Sequence, residues 1–67
     1  MKLIDREWNE HLGKYQRVWL ANDPSDIKPG FDPDAAEGSM IIVISTQTTY
    51  MKNCDCQWQK CGSTEVL

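Results

Sequence analysis

An α+β domain, with one N-terminal amphipathic helix packed on a small two- or three-stranded antiparallel sheet, is the fold class the sequence predicts. Two observations carry it: an apolar pattern of helical period over residues 3–20, and a β-branched run that begins at Met40. An acidic stretch punctuated by Pro and Gly separates the two.

Set out at ~100° per residue, Ile4, Trp8, His11, Leu12, Tyr15, Val18 and Trp19 share one side of a helix. Arg6, Asn9, Glu10, Gly13, Gln16 and Arg17 fall opposite. Asp5, Glu7 and Glu10 come early and His11, Lys14 and Arg17 late, the order that complements a helix dipole. Gly13 is the objection, because a mid-helix glycine costs about 1 kcal/mol. It could instead cap a helix ending at Leu12 and leave 14–20 as a strand. The apolar face runs unbroken through Gly13, which favours one continuous helix over about 3–20.

Residues 21–39 carry Asn22-Asp23-Pro24, Pro29-Gly30, Asp32-Pro33-Asp34 and Gly38-Ser39, with Ile27 and Phe31 as the large apolar residues. Punctuation of that density predicts a loop. Asp23, Asp26, Asp32, Asp34 and Glu37 stand there against Lys28 alone, so the negative charge of the chain concentrates in it. Residues 40–60 form a β-rich segment. Met40 to Ile44 reads as a central strand apolar on both sides, and a turn near 45–48 would make a hairpin with the Thr- and Tyr-rich stretch to Lys52, although no Asn-Gly or Asp-Gly pair marks it and a single long strand is the alternative. Gln57 to Lys60 adds a third short strand after a turn at 53–55, and a flexible tail occupies 62–67.

A chain of 67 residues makes one domain with a thin core, burying only about 60% of its unfolded surface. Ligand pockets commonly need about 300 Å³, so a catalytic site is not expected. The net charge of −3 disfavours direct contact with nucleic acid, and Lys2, Arg6, Lys14 and Arg17 are interleaved with acids rather than gathered into a stripe. No apolar run approaches the ~20 residues of a membrane span or forms a secretory leader. The expected setting is the cytoplasm, with no membrane partner. An odd number of cysteines, three, fits reduced thiols better than a disulfide framework.

Those cysteines are the one concentration of chemistry. Cys54, Cys56 and Cys61 are soft donors that suit zinc, and His11, the only histidine, is the candidate fourth ligand. The single residue between Cys54 and Cys56 is short for a zinc knuckle, which places two to four there. Plain reduced thiols are therefore expected, with no cofactor beyond zinc as a candidate. A redox role lacks the usual two-residue spacing. Asp32, Asp34 and Glu37 superficially resemble the start of an EF-hand loop. The fifth, sixth and twelfth positions are Ala36, Glu37 and Val43, where an oxygen donor, a glycine and a bidentate glutamate belong.

The expected function is a small acidic protein-binding regulator or inhibitor, not an enzyme, that docks on a larger host or cellular protein. Asp23, Asp26, Asp32, Asp34 and Glu37, with Trp58 as a surface aromatic, are the expected contact residues. They would occupy a basic or nucleic-acid-binding surface of that partner. Accessory proteins of phages and mobile elements often share this small acidic profile. A zinc-stabilised module and a thiol redox protein are the alternatives, and self-association through leftover aromatics of Trp8, Tyr15 and Trp19 is left open.

Overall fold

The structure, a computed structural model, describes residues 1–67. It corrects the predicted fold class: the chain has no α-helix, and a five-stranded mixed sheet of order β1-β2-β3-β4-β5 takes the place of a helix on a small antiparallel sheet. The strands are β1 (Lys2–Asn9), β2 (Lys14–Ala21), β3 (Met40–Val43), β4 (Thr48–Lys52) and β5 (Trp58–Lys60). A single 3-10 turn lies at Pro24–Asp26.

The predicted helix over 3–20 is instead the β1–β2 hairpin, with Trp8 opposite Tyr15 and Arg6 opposite Arg17. Its turn includes Gly13, the residue that spoke against the helix. The Asn9 side chain accepts the Leu12 N–H, the Gly13 N–H donates to the Asn9 carbonyl, and Gly13 sits at φ 63°. That left-handed conformation is cheap only for glycine. The strand at 14–20, the weaker alternative on sequence, is thus observed as β2. Apolar residues spaced by three or four, such as Trp8, Leu12, Tyr15 and Trp19, satisfy a helical period. Tyr15, Arg17, Trp19 and Ala21 also alternate with Gln16, Val18 and Leu20 at strand period. Burial on a sheet decides for the second pattern.

The β2–β3 pair is parallel, Val18 to Ala21 beside Met40 to Val43, and the other ladders are antiparallel. Parallel neighbours need a crossover, which ordinarily is a helix. Here residues 22–39 serve, folded across one face of the sheet. On that covered face Trp19, Ile41, Tyr50 and Lys60 lie in one cross-strand row, Ala21 lies beside Val43, and Lys52 beside Trp58. The core is Ala21, Ile41, Val43, Tyr50 and Trp58 from the sheet with Ile27 and Ala35 from the loop. Trp19 and Phe31 pack against it edge to face, with ring centroids 5.1 Å apart.

Polar contacts fix the loop to this face. The Asp32 carboxylate accepts from Arg17 Nη1 at 2.7 Å and from Trp19 Nε1 at 2.9 Å. The Asp32 carbonyl accepts from Lys52 Nζ at 3.1 Å, and the Phe31 carbonyl from Trp58 Nε1 at 2.7 Å. Lys52 is only 3% exposed, and its ammonium lies 4.9 Å from the centre of the Trp58 ring. Gly38 closes the crossover at φ 86°, where a Cβ would stand 2.9 Å from Gln16 Nε2.

The C-terminal residues 62–67 do not hang free of the sheet. Val66 bridges Gln59, the Lys60 N–H donates to the Glu65 carbonyl, and the Leu67 N–H donates to the Trp58 carbonyl. The tail thereby occupies the outer edge of β5.

Asp32→Ala removes the acceptor shared by Arg17 and Trp19 and a residue that tolerates φ 46°. A loss of about 2–4 kcal/mol is expected, against a smaller loss for Asp32→Asn, which keeps one acceptor and tolerates that backbone. Urea unfolding of the two variants measures the difference; equal stability to the native chain would show that the loop is held without the clamp.

Candidate functional site

The two faces of the sheet differ in what covers them. Behind the core face, Val18, Met40 and Met51 form one cross-strand row and Leu20, Ile42 and Thr49 the next. No element packs over them. Val18, Leu20, Met40 and Ile42 are half-buried by their neighbours, and Met51 is 41% exposed. Side chains alternate across a strand, so the uninterrupted run Met40–Val43 necessarily supplies Ile41 and Val43 to the core and Met40 and Ile42 to the opposite surface. The result is an apolar patch of aliphatic and thioether side chains.

β1 fringes this patch with charge. Asp5 lies opposite Val18, Glu7 opposite Gln16 and Lys2 opposite Leu20, all on the open face. At the other end, Met51, Gln59 and Cys61 open into a shallow depression of about 200 Å³ bounded by Gly62 and Ser63. β1 itself is exposed along almost its whole length, with Leu3, Ile4 and Trp8 each 40% exposed or more. Trp8 was expected in the core; it lies instead on the surface, edge to face with Tyr15 at 4.9 Å.

The acids expected to contact a partner divide into two groups. Asp32 is the clamp described above. Asp23 and Asp26 form a reciprocal cap on the 3-10 turn: the Asp23 carboxylate accepts the Ser25 N–H, and Asp26 accepts the Asp23 N–H. The Ser45 hydroxyl also donates to Asp23, tying the crossover to the β3–β4 turn. Asp34 and Glu37 are exposed, and neither takes part in an ion pair. Trp58, expected at the surface, is 3% exposed and belongs to the core, so it is withdrawn as a contact residue. Its neighbours Gln57 and Gln59 are polar because flanking residues on a strand point to the other face.

Cys54 and Cys56 lie in the turn between β4 and β5, Cys61 just past β5, and His11 in the β1–β2 turn. All three thiols are free and exposed. No three His, Cys, Asp or Glu side chains come together in an arrangement that could hold a metal ion. No helix is long and apolar enough to cross a membrane. No protein-family model, curated protein or solved structure matches the chain.

The open face escaped sequence reasoning because its residues were divided between an imagined helix and a strand taken as buried on both sides. The uninterrupted apolar run Val18–Ala21, which as a strand must put Val18 and Leu20 on the face opposite Trp19 and Ala21, is the signal that could have found it.

Two measurements follow from these placements. The thiols should all react with a disulfide reagent in the native protein, without denaturant; a protected thiol would place that cysteine in a contact the structure lacks. The hydrogen bond from the Ser25 backbone, helped by the Ser25 and Ser45 side chains, holds the Asp23 carboxyl below its ordinary range. A depressed folded value means that the stabilisation from this cap is fully present above the unfolded carboxylate value, near 3.9, and is lost as pH falls through the lower folded value. NMR titration of the Asp23 side-chain carboxyl should show the depressed midpoint in the native chain and only a partial return towards the ordinary value in Ser25→Gly, which loses the serine hydroxyl but keeps the backbone N–H donor.

Proposed function

We propose that this chain is a small non-enzymatic binding protein that docks on a larger protein through its open sheet face. The observation that carries this reading is the apolar patch of Val18, Leu20, Met40, Ile42 and Met51, which a domain with so thin a core leaves uncovered. Contiguous apolar surface of this kind, rimmed by polar groups, is characteristic of interaction sites. Asp5 and Glu7 on its rim, with Asp34 and Glu37 free on the loop, favour a partner whose apolar contact area is bordered by Lys or Arg. A basic groove, including one that otherwise holds nucleic acid, has that chemistry.

The electrostatic part of the reading thus rests on fewer acids than the loop contains, because Asp23, Asp26 and Asp32 are engaged in the fold. Exposed free thiols fit a reducing compartment, the cytoplasm. An open depression of about 200 Å³ supports binding over an enclosed catalytic site. Neither the zinc module nor the redox protein gains an observation in its favour, since His11 and the cysteines do not gather.

Ile42→Lys places a charge at the centre of the patch without entering the core. Its stability should stay within about 1 kcal/mol of the native chain, while capture of the partner from source lysate, read by mass spectrometry, should fall to background. Unchanged capture by Ile42→Lys together with loss in an Asp34→Asn, Glu37→Gln variant would move the contact to the loop and overturn the face reading.

A further inference from the structure

The sheet has two edges, and they are finished differently. The tail covers β5 through Glu65, Val66 and Leu67. Nothing covers β1, whose residues Lys2–Asn9 are the outermost strand of the sheet. An exposed strand edge is a template for pairing with another chain, and such edges are normally blunted.

β1 carries specific blunting against its own copies. Two copies of an edge strand related by a twofold axis pair antiparallel about an axis perpendicular to the sheet, so residues of the same face meet. A register centred on Asp5 or on Glu7 sets that acid against itself. A register centred on Arg6 sets Arg6 against Arg6 and Asp5 against Glu7 of the second copy. Like charges directly opposite destabilise a ladder. The pairing of β1 with β2 is also irregular between Leu3 and Asp5, and the Arg6 N–H is already taken by the Asp5 carboxylate at 2.8 Å.

The same features select for a partner of opposite charge. A Lys or Arg across from Asp5 draws its carboxylate into an ion pair and releases the Arg6 N–H for a backbone bond to the incoming strand. A second cation two residues away meets Glu7 on the same face. The residue between those two cations lies across from Arg6, whose guanidinium sits over the Tyr15 ring at 4.6 Å, and the alternate residues beyond them meet Leu3 and Trp8, which are 40% and 51% exposed.

We propose that the outer edge of β1 accepts an extended segment of another protein that carries Lys or Arg at alternate positions and apolar residues between them. Strand addition of this kind takes affinity from main-chain hydrogen bonds and selectivity from the alternating side chains. The site is the edge of the sheet and not its open face; it shares Asp5 and Glu7 with the rim of that face but uses none of its apolar patch.

The test uses the full chain labelled with 15N and a blocked peptide, Thr-Lys-Val-Lys-Val-Lys-Thr. Amide shifts should be confined to β1 and the adjoining β2, and exchange of the Arg6 amide should slow. The peptide with Glu in place of Lys, and one N-methylated at alternate residues, should each bind roughly tenfold or more weakly. Ile42→Lys should bind the Lys peptide as the native chain does, so failure here is distinguishable from failure of the face reading. Asp5→Ala should lose the preference for Lys over Glu. Undiminished binding of the N-methylated peptide would mean charge attraction without strand pairing and overturn the proposal, as would shifts centred on Leu20, Met40 and Ile42, or no shifts at all.

Discussion

The fold depends on how a crossover without a helix is held against a sheet. A helical crossover satisfies its own backbone and needs only an apolar stripe to bind the strands. Residues 22–39 have one short 3-10 turn and a few tight turns that pair some of their own backbone groups, so the remaining carbonyl and amide groups must find partners outside the segment. The sheet supplies them. Lys52 from β4 and Trp58 from β5 donate to the Asp32 and Phe31 carbonyls, and Arg17 and Trp19 from β2 hold the same stretch by donating to the Asp32 carboxylate. The two indoles fill the core and donate a hydrogen bond at its boundary, an economical use of large residues in a short chain. The burial of Lys52, anomalous in isolation, follows from the same need: its ammonium ends on a loop carbonyl and a ring face.

That constraint explains which parts of the molecule were legible in its sequence. The β-rich half was, because Met40–Val43 is too short and too β-branched for a helix and is followed by residues that suit a turn. The central place of that strand, the hairpin after it and the short strand near Trp58 all appear in the structure. The N-terminal half was not. Its apolar residues fit both periods, and what separates them is the pairing of Trp8 with Tyr15 and Val18 with Met40, contacts invisible to a local pattern. Gly13 was the one local clue, and a continuous helical face outweighed it. Even the charges misled, since acids placed early and bases late complement a helix dipole as readily as they populate two strands of a hairpin.

The contact residues were misjudged for a related reason. A run of acids in a Pro- and Gly-rich stretch reads as solvated charge when the loop is assumed idle. Once the loop is the second layer of the domain, an acid is the natural terminus for the strand donors beneath it, and Asp32 takes that role. Composition alone could not say which of five acids would be so used. Trp58 shows the converse: polar neighbours in sequence marked it as exposed, although on a strand they indicate the opposite face.

Covering one face with a loop leaves the other to find its own solution, and here the two free surfaces of the sheet are treated unequally. The open face keeps aliphatic side chains at its centre and carries charge on β1 at the rim. The β1 edge carries the charges itself, in an order that sets acid against acid or base against base for copies centred on residues 5–7. A face and an edge so built answer to different partners. The face favours a preformed surface that can displace water from Leu20, Met40 and Ile42 together. On the proposal made for it, the edge takes a segment that is extended and carries basic residues opposite Asp5 and Glu7. Self-association through the edge is opposed by the same carboxylates that draw a basic partner, so Asp5 and Glu7 set specificity by repulsion as well as attraction.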